Sequence, residues 1–238
     1  MPVTQASLTS DSNAVDAASF ATASIAPTAD NLILVAVAND AATEAGAVEP
    51  TLSGNGLTWV SIGTAKAVTT ARITLFRSMG AAPSAGAITI DFASNTQNAC
   101  CWSVIEFGNV NTGGTNGSAA VVQSATNTAA FPALTVVVTL AAFASANNAT
   151  YGAFGTTAGT AIEPGSGFTE VHDVAAGGSH LSTEWRVDND TTVDETHATG
   201  ANWHAIGVEI GVVVSASSGK LRTRLRGVRS RFSLRKWP

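Results

Sequence analysis

The amino-acid sequence predicts an all-β fold, an antiparallel two-sheet sandwich of jelly-roll type followed by a short basic C-terminal arm. Apolar residues recur with a period of two in short runs that are rich in β-branched and aromatic residues. Clusters of Gly, Asn, Pro and Ser separate these runs, as turns separate strands. No stretch before residue 215 sustains an apolar stripe at helical spacing. A chain of 238 residues is long enough for one large β domain.

Ten segments fit the strand pattern. In chain order they are Ser19–Ile25, Leu32–Ala38, Leu57–Ile62, Arg72–Met79, Ala87–Phe92, Cys101–Phe107, Leu134–Leu140, Phe168–Val174, Leu181–Val187 and Trp203–Val213. Turn residues bound several of them, at Ser53–Gly56, Asn111–Gly114 and Glu163–Gly167. The interval Ala153–Gly165 is predicted to be a long loop, and long structured loops often carry recognition.

Cys100 and Cys101 are the only cysteines, and they are adjacent. A disulfide between neighbours needs a strained peptide geometry, so we expect two buried free thiols in a strand, where a free cysteine behaves as a small apolar residue. Four tryptophans in strand patterns are predicted to pack in the core; they are Trp59, Trp102, Trp185 and Trp203.

The N-terminal residues show neither the basic start nor the apolar run of a signal peptide. The sequence also lacks an uninterrupted apolar stretch of about 18 residues that would predict a membrane span. We therefore expect synthesis in a reducing cytoplasm and no membrane partner.

Charge divides the chain into two parts of opposite sign. Residues 1–219 carry 4 basic and 17 acidic residues, a formal charge of −13, whereas residues 220–238 carry 8 basic and no acidic residues. The segment Ser215–Gly219 between them has the composition of a flexible linker. The predicted organisation is therefore a β-sandwich domain at 1–214, a linker at 215–219 and a basic arm at 220–238. Such asymmetry points to an interaction arm on an acidic body.

The arm supplies all the predicted partner-binding residues. They are Lys220, Arg222, Arg224, Leu225, Arg226, Val228, Arg229, Arg231, Phe232, Arg235, Lys236 and Trp237. Leu221, Leu225, Val228 and Phe232 would form one apolar stripe on a helix. The alternation of basic and other residues from Lys220 also fits an extended strand, so both conformations stay open. An isolated helix this short is marginal in water, and we expect the arm to order against a partner.

Four interpretations of the arm compete. Arginines make bidentate contacts with carboxylates, and the apolar residues would add buried area, which favours docking on an acidic protein surface. Contact with nucleic acid phosphates ranks second, and binding to a membrane surface ranks third. The remaining alternative is a solubilising tail, or a tail folded back on its own acidic body.

The body offers no convincing catalytic, cofactor-binding or metal-binding constellation, and we expect a protein that is not an enzyme and has no cofactor. His197 and His204 would make a poor zinc site without a third ligand. The oxygen-rich run Asp188–Glu195 resembles a calcium-binding composition but lacks the glycine and terminal glutamate of a helix–loop–helix site, so a solvated acidic loop is favoured. Glu106 and Glu209 end apolar strands, and a paired-carboxylate glycosidase remains a weak alternative.

Several segments of the sequence resemble segments of the β-sandwich structural proteins of tailed bacteriophage virions. They are Phe20–Pro27, Asn31–Ala38, Ser53–Val60, Ile73–Ser78, Trp102–Phe107 and Ala205–Ile210. The likeness covers roughly residues 19–211 and is mainly a strand pattern. It implies a virion module, such as a capsid decoration protein or part of a tail fibre, made in the host cytoplasm. It supplies no catalytic residues and does not account for the basic arm.

These observations predict a non-enzymatic structural protein of a phage virion. The most favoured role is a capsid decoration or cement module, pinned to an acidic capsid or tail subunit by the arm. The alternative is a tail-fibre or host-recognition module that binds carbohydrate. A sandwich with little surface charge can self-associate, so we expect a homo-oligomer, and a trimer is one such form.

Overall fold

The computed structural model describes residues 1–43, 45–67, 70–157 and 161–213, and this part of the chain forms fourteen β-strands and no α-helix. The strands are β1 (Thr4–Asn13), β2 (Ser19–Ala21), β3 (Leu32–Asp40), β4 (Thr51–Ser53), β5 (Val60–Lys66), β6 (Ala71–Ser78), β7 (Thr89–Asp91), β8 (Ala99–Gly108), β9 (Val121–Thr139), β10 (Ala149–Thr156), β11 (Ile162–Pro164), β12 (Thr169–Ala176), β13 (Ser179–Arg186) and β14 (Thr192–Ile210).

The strands form three antiparallel sheets. The central sheet has the order β1-β8-β3-β6-β5. The large outer sheet has the order β11-β14-β10-β13-β12, and β9 also pairs with β14. The small outer sheet contains three short strands in the order β2-β7-β4. The predicted antiparallel β-sandwich is confirmed, with a third small sheet that the sequence did not indicate.

The central sheet is covered on both faces, which explains its almost continuous apolar strands. All but the last residue of β3 are buried, and so are all but the last residue of β8. A strand with one wet face alternates apolar and polar residues, whereas a strand between two layers has no wet face. Cys100 and Cys101 show this geometry directly, because they are free, buried thiols that belong to different cores.

Two apolar clusters lie on the two faces of the central sheet. The first joins it to the large outer sheet, where Leu34 and Phe107 pack with Tyr151 and Ile206. The second joins it to the small outer sheet and includes Val35, Trp102, Phe20 and Ile90. Burial of this apolar surface is the main stabilising contribution to such a stack.

A folded ribbon covers the far face of the large outer sheet. We define the ribbon as residues 135–139 of β9 and 192–196 of β14, which pair with each other before the register shifts between Thr196 and Ala201. Val136, Val138 and Val193 are buried there with Phe154 and Trp203 in a third apolar cluster. The two longest strands, each of 19 residues, therefore bend back over their own sheet.

All ten predicted segments overlap a strand, but the sequence missed others. The prediction of one loop over Ala153–Gly165 is wrong, because β10 extends to Thr156 and β11 lies within that interval. Gly152 and Gly155 weaken the strand pattern of β10. In the fold they are required, because a Cβ on Gly152 would lie 2.7 Å from Val193 Cγ1, and one on Gly155 would lie 2.4 Å from His204 Nε2.

Candidate functional site

The predicted partner-binding arm, residues 220–238, and the predicted linker, 215–219, lie outside the described residues. The chain leaves the body beside the loop that follows β8. Val212 forms a β-bridge with Val110, and Val213 donates a backbone hydrogen bond to Asn109 O at 2.8 Å. Both contacts tie the last described residues to the residues just after β8.

The guanidinium groups of Arg72, Arg77 and Arg186 are engaged by the body itself. Arg72 donates to Ala47 O at 2.8 Å and to Thr64 Oγ1 at 2.9 Å. Arg77 donates to Asn116 O at 3.1 Å. These guanidinium groups stabilise loops rather than present charge to a partner.

Arg186 organises the acidic run that follows β13. Its Nη2 lies 2.5 Å from Asp188 Oδ2, its Nη1 lies 2.6 Å from Asp190 Oδ2, and its guanidinium stacks 5.2 Å from the Phe168 ring centroid. The hydrogen bond that Arg186 donates to Asp188 and the charges of both carboxylates raise the pKa of Arg186. Two of the oxygen donors suggested for a cation are thus used by an arginine.

The described residues hold no group of three or more His, Cys, Asp or Glu side chains placed to bind a metal ion. His197 and His204 both lie on β14 but in different surroundings. His204 is buried against Gly155 on the inner side of the large outer sheet, and burial, reinforced by the charge of Arg72, lowers its pKa to about 3. His197 lies under the ribbon, so the two do not form a site.

Glu106 and Glu209 do not face each other. The Glu106 carboxylate accepts hydrogen bonds from the backbone N–H and the hydroxyl of Thr28, at 2.8 and 2.9 Å. The Glu209 carboxylate accepts from Gln123 Nε2 at 2.6 Å and from Asn148 Nδ2 at 2.5 Å. Their faces are separated by both stacked sheets, which pack about 10 Å apart. A two-carboxylate glycosidase site is therefore not formed by this pair.

A buried polar cluster under the ribbon is the main constellation that the sequence did not reveal. Ser182 and Glu184 lie on β13, and Glu195 and His197 lie on β14. The exposed fractions of these four residues are only 2–4 %. β14 places Glu195, in the ribbon, and His197, just after it, against the outward-facing side chains of β13.

Glu195 is the centre of this cluster. Its Oε2 accepts from Ser182 Oγ at 2.5 Å, and its Oε1 lies 2.8 Å from His197 Nε2. Glu184 Oε2 accepts from the backbone N–H of Gly165 at 2.9 Å. Glu184 Oε1 and His197 Nδ1 have no hydrogen-bond partner among the described residues.

Burial changes the protonation of both carboxyl groups. It raises the pKa of Glu184 to about 8, with repulsion from Glu195 and Asp194 adding to the effect and the Gly165 N–H opposing it. Burial also raises the pKa of Glu195, although the hydrogen bonds from His197 and Ser182 oppose this shift. The cluster therefore holds Glu184 largely protonated at neutral pH.

This cluster is closed to solvent, and its hydrogen bonds differ from those of a catalytic serine–histidine–carboxylate triad. Serine and histidine both bond to the carboxylate, whereas activation of a serine requires a direct bond to the histidine. The near-complete burial also leaves no path for a substrate. The sequence indicates this cluster only weakly. His180, Ser182 and Glu184 alternate along β13 as the solvent-exposed residues of a strand do, and only the ribbon makes them buried.

A second histidine constellation joins the open edges of the two large sheets. His172 Nε2 lies 2.5 Å from Ser7 Oγ, and His172 Nδ1 lies 2.8 Å from Ser103 Oγ. β-Bulges occur beside both Ser7 and His172 and direct these side chains toward each other. Burial lowers the pKa of His172. In a catalytic triad a carboxylate stabilises the imidazolium, whereas the partners of His172 are neutral serines. These contacts therefore favour a role in bridging the two sheets over a catalytic role.

Among the described residues, little else resembles a ligand site. A surface cavity of about 170 Å³ is lined by Asp30, Met79, Thr112 and Asn116, among others. Sites for drug-sized ligands are typically about 300–1,000 Å³. Trp102 and Trp203 are buried and Trp59 and Trp185 are half-buried, which confirms their predicted core packing. The four do not form an exposed platform for stacking a sugar.

Comparison with models of protein families, with curated proteins and with solved structures gives no match to this chain. Within 1–43, 45–67, 70–157 and 161–213, no helix has the length and apolar character needed to cross a membrane.

Proposed function

We propose that this chain is a non-enzymatic structural protein of a phage virion, a decoration module that its basic C-terminal arm anchors to an acidic capsid or tail subunit. The observation that carries the proposal is the distribution of positive charge. Eight of the twelve basic residues lie in 220–238, and the guanidinium groups of Arg72, Arg77 and Arg186 in the body are engaged internally.

The body is suited to a structural role. Its three layers enclose two cores between them, and a third core lies under the ribbon. The buried carboxylates of Glu106 and Glu209 accept hydrogen bonds from within the fold. Such a stack presents a rigid surface without an open catalytic cleft in the described residues. The resemblance of its strand pattern to virion β-sandwiches supplies the biological context.

Anchoring proceeds in two physical steps. The +8 segment is attracted to a negatively charged subunit, which accelerates encounter at low ionic strength. The arginines then bind carboxylates in a bidentate manner, while Leu225, Val228 and Phe232 lose water in a groove of the subunit. The bound body is displayed outward.

Incorporation into particles tests this anchor. Deletion of residues 220–238 is expected to abolish incorporation, while the purified body keeps the β circular-dichroism spectrum and the cooperative unfolding of the full chain. A matched variant in which the six arm arginines become lysine keeps the charge and removes the bidentate geometry. We expect it to bind more weakly than the natural arm and better than an all-glutamine arm. Normal incorporation of the deletion variant would refute the proposal.

Carbohydrate recognition is the alternative that the sequence leaves open. A glycan array with the full-length protein distinguishes it, because saturable binding of one sugar class would favour host recognition. The packing of the four body tryptophans in the cores gives this alternative no support.

A further inference from the structure

The long strand β9 has one edge that no strand of the described chain occupies. β9 pairs with β14 along one side only. The neighbouring β5 approaches it through a side chain, where Ser124 Oγ donates to Ile62 O at 3.2 Å. Thr126 also lies next to Gly63 of β5, and Thr126, Asn127 and Thr128 are all exposed. An unoccupied edge presents backbone donors and acceptors that another strand can pair with.

The other sheet edges in the described chain carry the features that normally prevent strand addition. β1 contains Asp11, β5 contains Lys66, β11 contains Glu163, and β12 contains Glu170 and Asp173. The edge strands of the small outer sheet, β2 and β4, have only three residues each. Charged residues and short length are two of the usual protections of an edge, and proline and β-bulges are others.

β9 is neither short nor charged, and its one proline, Pro132, lies outside residues 126–130. It is 19 residues long and contains no Asp, Glu, Lys, Arg or His. It also carries three of the large apolar side chains that are exposed in the described structure: Val122 at 50 %, Phe131 at 67 % and Leu134 at 51 %. The backbone N–H of Thr128 donates to the adjacent Asn127 Oδ1 at 2.8 Å.

We infer that the free edge of β9, centred on residues 126–130, pairs antiparallel with β9 of a second copy of this chain. The distribution of charge on the body favours a second copy as the occupant of this edge. Two bodies of formal charge −13 repel each other wherever their carboxylates meet, and β9 is the long edge that brings no charge to the contact. A strand paired with its own copy about a two-fold axis forms a closed, self-complementary dimer.

The pairing extends the large outer sheet across the two bodies. Phe131 and Leu134 lie just beyond the paired segment, where a second body covers exposed apolar side chains. This interface is separate from the arm and does not depend on the proposed anchoring. It would bring two arms into one assembly, and two linked arms bind a multivalent surface more tightly than one.

The mass of the full-length protein in solution tests the inference. Sedimentation equilibrium is expected to give twice the 24.0 kDa of one chain, and the dimer should persist at 1 M NaCl, where the Debye length is about 3 Å. The substitution Thr128→Lys introduces the protection that β9 lacks and should raise the dimer dissociation constant about tenfold or more, about 1.4 kcal/mol. Thr169→Lys, at an exposed position of the edge strand β12, is the matched control and should leave the constant unchanged.

Hydrogen exchange gives a second readout that does not depend on mass. The amides of 126–130 that point to the free edge should lose protection in Thr128→Lys while amides of β3 keep it, which separates loss of pairing from unfolding. A wild-type monomer, a trimer, a dimer that Thr128→Lys leaves intact, or a dimer that 1 M NaCl dissociates would each overturn the inference. Dissociation by 1 M NaCl would instead indicate that the arm holds the copies together. The other three outcomes would leave the result of the anchoring assay unaffected.

Discussion

Gly152 and Gly207 lie opposite each other on β10 and β14, and the ribbon packs directly over them. A Cβ on Gly207 would lie 3.0 Å from Val193 Cγ2 and 3.1 Å from Val138 Cγ1. These glycines are therefore required by close approach and not by an unusual backbone conformation. A glycine in a strand interior often marks such an approach.

Gly152→Ala is expected to lower the free energy of unfolding by about 1–3 kcal/mol, because the new methyl group overlaps the Phe154 ring and Val193. Urea denaturation measures the change. Gly63→Ala is the matched control, since its Cβ would meet nothing closer than Ile206 Cγ2 at 3.4 Å, and its effect should stay within about 0.5 kcal/mol. Equal effects at the two positions would contradict the packing described for the ribbon.

Glu184 should make the stability depend on pH. Its pKa is about 8 in the folded protein and about 4.3 in an unfolded chain, so the folded state binds more protons between these values. Stability therefore falls as the pH rises from about 4.3 to 8, by about 1.4 kcal/mol for each unit of pKa difference as an upper bound.

Glu184→Gln removes this titration and keeps an oxygen for the Gly165 N–H. Relative to the wild type, the variant should gain stability at pH 8 and change little at pH 4.5. Thermal unfolding of both proteins at the two pH values measures the difference, and the opposing contribution from the buried His204 cancels in the comparison. A difference between the proteins that is the same at both pH values would show that Glu184 does not titrate in this range.

The ribbon joins sequence-distant elements into a third core. Val138 is 1 % exposed beneath it, whereas Val122 on the same strand is 50 % exposed. Val138→Thr keeps the shape of the side chain but buries a hydroxyl group, which should cost about 1–3 kcal/mol of unfolding free energy. Val122→Thr makes the same chemical change in water and should cost almost nothing. Urea denaturation of the pair tests this, and a cost at Val122 equal to that at Val138 would mean that the ribbon does not cover the sheet.

Strands differ in how far their sequence predicts them. β3 and β8 were found because both of their faces are apolar, and no loop has that composition. β10 was missed because glycines dilute it, although its neighbours require those glycines. The first half of β14 was missed because Glu195 and His197 look like solvated residues until the ribbon brings Ser182 and Glu184 against them.

The three layers should unfold together as one cooperative unit, because the central sheet is common to both main cores. Cys100 lies between the central sheet and the small outer sheet, and Cys101 lies between the central and large outer sheets. Burial raises the pKa of both thiols, that of Cys101 to about 11, so their thiolates form only on opening.

Two single-thiol variants, Cys100→Ala and Cys101→Ala, test this cooperativity. The remaining thiol of each should react with a thiol reagent at a similar slow rate under native conditions, and urea should accelerate both alike. A rate more than about tenfold higher for Cys100 would show that the small outer sheet opens alone.

The sequence by itself determined the all-β class, the ten strand segments, the buried free thiols and the division between an acidic body and a basic segment. These features follow from local patterns, because the period of apolar residues and the signs of charges are readable one segment at a time. The tertiary structure decided the third layer, the ribbon, the sealed cluster around Glu195 and the exposed edge of β9. Each of these depends on which segments far apart in the chain lie against each other, and burial or exposure of a polar residue is settled only by that packing.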